Sequence, residues 1–202
     1  MIAILDYGSG NLRSAQRAFA STGEDVIVTS DHRTAVEAQG LVVPGVGAFA
    51  SCMQGLLTIN GDSIIRERLA LERPTLGICV GMQILFESGT ESSLSYPHGG
   101  LGIGIWAGTV NRMLAPVLPH MGWNTTTSSH GSTLFAGVEN ESFYFVHSYA
   151  ATRSAGQKQA WSDYDQKFLA AVEDGAISAT QFHPEKSGKA GLKLIENWIG
   201  SL

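Results

Sequence analysis

Apolar and polar positions follow two rhythms along the first half of the chain. Continuous apolar runs occur at IAIL (2–5), DVIVTS (25–30), LVVPG (41–45) and TLGIC (75–79). Runs of that length and aliphatic character predict buried strands. Between them Leu12, Ala15 and Phe19 recur at helical spacing until Gly23. Asp62 stands as a helix cap before Ile64, Ile65 and Leu69, in a segment stopped by Pro74. After TLGIC, MQILFES predicts a helix running towards Gly89. Such strand–helix alternation predicts an α/β fold, a parallel doubly wound sheet flanked by helices.

The second half changes rhythm. GIGIWAGTV, SFYFVHSYAA, KFLAAVED and AISATQF read as strands, some of them antiparallel, so the sheet is expected to be mixed. The last segment, GKAGLKLIENWI, predicts a helix with Leu192, Ile195 and Ile199 on one face. Segments 88–98 and 151–160 are expected as surface loops. With no repeat, linker or low-complexity tract, 202 residues predict one domain, 1–202, large enough to bury a substantial core.

Composition narrows the function classes. A hydrophobic fraction of 44% against 15% charged residues is an ordinary globular balance. The net charge is −5 and no Lys/Arg-rich block occurs, which argues against nucleic acid or an anionic membrane as partner. The start, MIAILDYGSGN, has neither the charged region of a signal peptide nor the length of a membrane span. Two cysteines make no disulfide framework and no metal spacing, so no metal or cofactor is expected. A reduced, cytoplasmic setting follows as the expectation.

The candidate chemistry begins at GICVGMQ (77–83), where Cys79 sits between Gly77 and Gly81 directly after an apolar strand. A strand feeding a helix through G-x-C-x-G makes the sharp turn that lifts a nucleophile clear of a sheet. The helix start favours the thiolate, and the next backbone N–H, of Val80, faces the place where an oxyanion would develop. By itself the heptapeptide fits a buried structural cysteine equally well. A nucleophile also needs a base and a group to orient it. TQFHPEKS (180–187) offers both, with His183 and Glu185 two apart across a rigid proline.

These motifs, with IAILDYGSGNLRS (2–14), PGVGAF (44–49), PHMGWN (119–124) and YFVHSY (144–149), resemble the class I, triad-type glutamine amidotransferases. Within them the chain is most similar to the glutaminase subunits of imidazole glycerol phosphate synthases. The fold implied is flavodoxin-like. The resemblance implies that Cys79 attacks the glutamine side-chain amide, His183 moves the proton and Glu185 orients the imidazole. It implies substrate contacts from Gly47, Gln83, Ser148 and Tyr149, and oxyanion donors at the Val46 and Val80 N–H groups. It also implies a (β/α)8-barrel cyclase partner that receives the ammonia, docked through Asn11, Pro119, Met121, Trp123, Tyr144 and Lys186.

Other readings are open at this level. A degenerate, purely docking homologue conflicts with the intact triad, and a free-standing cysteine hydrolase has no use for PHMGWN. An amidotransferase serving pyridoxal phosphate or anthranilate synthesis is the nearest alternative. Cys52 is expected on a helix as a small hydrophobe. GGLGIG (99–104) lacks the strand–loop–helix context of a nucleotide loop. His120 and His147 read as hydrogen-bonded structure rather than ligands.

Overall fold

The structure, a computed structural model, describes residues 1–92 and 99–202. Among these, an eight-stranded sheet runs in the order Val26–Thr29, Ile2–Leu5, Gly40–Gly45, Thr75–Cys79, Ile177–Thr180, Lys167–Asp174, Lys158–Asp163, Thr127–Ser128. Its first five strands are parallel and the last three antiparallel, giving the mixed, mostly parallel sheet expected. Ile2–Leu5 and Leu41–Val43 are wholly buried. A strand covered on both faces has no polar side, so it reads as an unbroken apolar run.

Helices and connections cover that sheet. Leu12–Ala20 is capped by Asn11, whose side chain accepts the Ser14 N–H at 3.2 Å. Its Phe19 meets Trp198 of the final helix, Gly188–Ile199, edge to face at 5.8 Å. That helix turns a different face inward than its spacing suggested. Leu194, Ile195 and Trp198 are buried, while Leu192 and Ile199 are only half-buried. Gly61–Ala70 starts from Asn60, so Asp62 lies inside the first turn rather than capping it. Arg68 of this helix is fully buried and donates to the carbonyls of Ala35, Val36, Ala38 and Pro74 at 2.6–2.9 Å. Burial lowers its pKa to about 10, which still leaves a cation tying two connections to one helix.

Two expectations fail through tertiary pairing. The helix after Cys79 is only Val80–Gln83, and Phe86–Gly89 is a strand in a second sheet with Gly100–Leu101, Trp106–Arg112 and Tyr149–Ala151. Met82, Leu85 and Phe86 have helical spacing, but Ile84 and Phe86 carbonyls are taken by the N–H groups of Ile103 and Gly104. Likewise 151–160 is not a simple loop, since Lys158–Asp163 is a sheet strand. Of the loop expected at 88–98, residues 93–98 lie outside the described residues. GGLGIG leads into strand Trp106–Arg112 rather than a helix, so the nucleotide-loop reading lapses.

A third, two-stranded sheet pairs His120–Thr125 with Ser142–His147. It sits on an aromatic cluster in which Phe143 stacks on Phe182 at 4.3 Å and Phe145 meets Phe168 edge-on at 5.5 Å. Large rings with few rotatable bonds hold this sheet against the strand end that carries residues 181–183.

Candidate active site

The parallel strands deliver their chemistry at one edge, the C-terminal ends, as doubly wound sheets do. Gly45 pairs with Cys79 at the ends of two neighbouring strands, and Thr180 pairs with Ile78 on the other side. Cys79 takes φ 57°, ψ −113°, a strained conformation for a residue with a side chain. The flanking glycines are required by contact. A Cβ at Gly81 would lie 1.9 Å from the Val43 carbonyl oxygen, and one at Gly77 2.7 Å from the Gly81 oxygen. The turn is therefore backbone packed on backbone, with the thiol projected from it.

His183 follows the Ile177–Thr180 strand and is pinned twice. Its N–H donates to Tyr144 O at 2.9 Å, and its carbonyl accepts Ser187 Oγ at 2.6 Å. His183 Nδ1 lies 2.7 Å from Glu185 Oε1, both side chains being almost fully buried. On its other side the imidazole faces the Cys79 sulfur, with which it shares the cavity wall. Burial pushes the His183 pKa down, but its bonds to Cys79 and Glu185 outweigh this and raise it to about 9. At neutral pH the ring is an imidazolium facing the sulfur.

An open cavity of about 280 Å³ lies against the sulfur, room for a small amino acid. Gly47, Gln83, Ser148 and Tyr149 line it, as do Val46, Val80, Cys79 and His183. Gln83 Nε2 donates to Tyr149 O at 2.8 Å and to Gln181 Oε1 at 3.0 Å, which leaves its Oε1 for other partners. The Val46 N–H donates to Ser9 Oγ at 3.1 Å, so in this conformation it is already taken. Cys52 is on the helix Phe49–Thr58, buried, and bonded to Ser9 Oγ and the Val46 carbonyl. Both cysteines are free thiols.

Two lining or contacting groups escaped the sequence reading. Gln181 places Nε2 3.8 Å from Cys79 Sγ. It lies inside the TQFHPEKS motif, but a side chain's direction past a strand end cannot be read from spacing. Glu91 also lines the cavity, its Oε2 accepting the Phe49 N–H at 2.8 Å. It belongs to the segment set aside as a loop.

The expected docking residues have different surroundings. Pro119 and Lys186 line the cavity. Met121 and Trp123 are exposed, at 61% and 58%, and the Trp123 ring meets Tyr144 edge-on at 6.1 Å. Asn11 is exposed but already used as a helix cap. No cluster of potential metal ligands occurs among the described residues.

The family model for glutamine amidotransferase class-I matches residues 3–200. The chain belongs to the class-I glutamine amidotransferases. Among curated relatives of this amidotransferase, "Imidazole glycerol phosphate synthase subunit HisH" of Mycobacterium bovis is 57% identical over 205 residues, covering 100% of this chain and 98% of the relative. The protein of the same description from Nocardia farcinica is 55% identical over 210 residues, with the same coverage of each chain. Among solved structures, a glutamine amidotransferase superposes with TM-score 0.72 at 16% identity, covering 98% of this chain and 97% of the other. PurLQS from Thermotoga maritima gives TM-score 0.69 at 16% identity, covering 99% and 97%. At such identities the solved structures speak for the amidotransferase fold alone.

Proposed function

We propose that this chain is the glutaminase subunit of an imidazole glycerol phosphate synthase, acting in the cytoplasm as one domain. The observation that carries the reading is the contact series Cys79–His183–Glu185 at the edge of a cavity, in a chain 57% identical end to end to a subunit of that name. With its proton already on His183, the Cys79 thiolate attacks the side-chain amide carbon of glutamine. The His183 imidazolium gives its proton to the leaving nitrogen, and Glu185 holds the ring by Nδ1 throughout. Ammonia departs, leaving a γ-glutamyl thioester. Water, deprotonated by the now neutral His183, cleaves it to glutamate and restores the starting charges.

Substrate recognition follows from the cavity wall. The Glu91 carboxylate is the anionic group suited to an amino acid's ammonium, and the Val80 N–H serves the oxyanion. Gly47, Ser148 and Tyr149 supply backbone around the substrate. Pro119 and Lys186 line this cavity and Met121 and Trp123 are exposed, which supports a docking face beside its mouth. The (β/α)8 cyclase docked there takes the ammonia into imidazole glycerol phosphate, releasing an aminoimidazole carboxamide nucleotide. No described helix is long and apolar enough to cross a membrane.

The test supplies amide-15N glutamine to the chain with a barrel cyclase and its ribulosyl nucleotide. The label should enter the imidazole product even when unlabelled ammonium is present outside. Label found only in free ammonium, or no glutamine consumption, would sink the reading.

A further inference from the structure

Two buried histidines outside the triad lie in a single file of hydrogen bonds. His120 and His147 are 3% and 6% exposed and face each other across the two-stranded sheet. His147 Nδ1 lies 3.1 Å from Tyr149 O, and His120 Nδ1 lies 3.1 Å from His147 Nε2. Asn124 Nδ2 lies 3.3 Å from His120 Nε2 and 2.9 Å from Asp163 O.

The polarity of this file is determined. A carbonyl only accepts, so His147 carries its proton on Nδ1. A neutral imidazole has one N–H, so His147 Nε2 accepts and His120 donates from Nδ1. His120 Nε2 then accepts from Asn124, whose Nδ2 is directed by the Asp163 carbonyl and whose Oδ1 takes the Thr125 N–H at 2.8 Å. Both rings are held neutral. Burial, then His120, pushes His147 down to about 3, and burial lowers His120.

The other end of the file reaches the reacting sulfur. Tyr149 O accepts a second bond from Gln83 Nε2, which also donates to Gln181 Oε1, and this turns Gln181 Nε2 towards Cys79 Sγ. Were His147 in the opposite tautomer, the Tyr149 carbonyl would face an imidazole lone pair and Gln83 would lose its anchor. We propose that Asn124, His120 and His147 are positioning residues for glutamine hydrolysis: through the Tyr149 carbonyl they hold Gln83 and Gln181 so that an amide N–H, not a carbonyl, meets the Cys79 sulfur. The inference rests on the glutaminase reading above. The file begins on the strand that exposes Met121 and Trp123, so the docking strand and the nucleophile share one chain of contacts.

The experiment uses the chain with its cyclase partner. His120→Phe keeps a ring between Tyr164 and Phe145, which stack on His120 at 4.1 and 5.0 Å, and removes both nitrogens. His120→Asn restores a donor near the Nδ1 position. Glutamine hydrolysis should fall roughly ten- to hundredfold in kcat for His120→Phe, as displaced positioning groups do, and recover mostly in His120→Asn. Partner affinity and ammonium-driven cyclisation should stay unchanged. Ring 15N NMR of the unmodified chain should show both histidines as neutral Nδ1–H tautomers. Wild-type kcat in His120→Phe, or Nε2–H tautomers in the unmodified chain, overturns the proposal. If His120→Phe melts early, the half-buried Asn124→Leu applies the same test. An unmodified complex that consumes no glutamine would instead remove the glutaminase reading, so the two failures are separable.

Discussion

The Val46 N–H donates to Ser9 Oγ at 3.1 Å, and the Ser9 hydroxyl donates back to the Val46 carbonyl at 2.8 Å. In this state the Val46 N–H is turned from the position where an oxyanion would form above Cys79. Gly47, next in the chain, has φ 91°, a backbone conformation that side chains rarely adopt. Gly45, on the other side, is a glycine for a different reason: a Cβ there would lie 2.4 Å from the Gly81 nitrogen.

One oxyanion donor is worth about 10²–10³ in rate. Ser9→Ala removes the acceptor that holds the Val46 N–H aside. Partner-independent glutaminase activity should rise by about tenfold, a fraction of that full worth, and stimulation by the cyclase should shrink to match. Steady-state assays of the isolated chain decide it; an unchanged rate would show that the Ser9 contact does not limit turnover.

The two thiols should differ sharply in reactivity. Cys79 lines the cavity beside an imidazolium, whereas Cys52 is 1% exposed and its thiol pKa is raised, chiefly by burial. A glutamine-like diazoketone should label Cys79 alone, read by peptide mass spectrometry. Cys79→Ala should abolish glutaminase activity while the partner still works on added ammonium. Labelling at Cys52 would contradict the assignment of the nucleophile.

The pH profile should have an alkaline limb near 9. His183 is raised to about 9 because its bonds to Cys79 and Glu185 outweigh burial. Loss of its proton on going above that value removes the acid that protonates the leaving nitrogen, so kcat should fall. Glu185→Gln deletes one raising contact and lets burial pull the pKa down, so the limb should shift to lower pH as well as lowering the plateau. A limb that stays in place would mean that Glu185 does not set the His183 charge.

Trp123→Ala should weaken docking by about 2 kcal/mol or more, as exposed aromatic anchors do when they become buried at an interface. The isolated chain should keep its melting temperature, because the side chain is 58% exposed and meets Tyr144 edge-on. Titration calorimetry with the cyclase, beside a thermal melt, separates the two effects. A lowered melt with unchanged affinity would make Trp123 a structural residue.

The parallel sheet was legible because strands buried on both faces leave an unmistakable pattern, and LVVPG and TLGIC, which lead to Val46 and Cys79, are two of those that carry the site. What failed was local. MQILFES obeys a helical period, yet long-range bonds from Ile103 and Gly104 take the Ile84 and Phe86 carbonyls, and Phe86–Gly89 joins a sheet. Glu185 reaches His183 across the proline turn, and His183 and Cys79 line one cavity, because a turn rich in glycine or proline encodes its own shape. Gln181 and Glu91 were hidden: their roles depend on where a side chain points across sheets distant in sequence. The partner that occupies the Val46 N–H was hidden, since Ser9 is 37 residues away.

The strand His120–Thr125 divides its labour by the alternation of its pleat. Met121, Trp123 and Thr125 face outward, while His120 and Asn124 turn inward to the histidine file, and the strand's sheet is separate from the eight-stranded one. Descent can therefore act on the two sides independently. A change of partner could begin at the outward residues of this strand, leaving its inward residues as they were. One scaffold can in this way outlive many alliances.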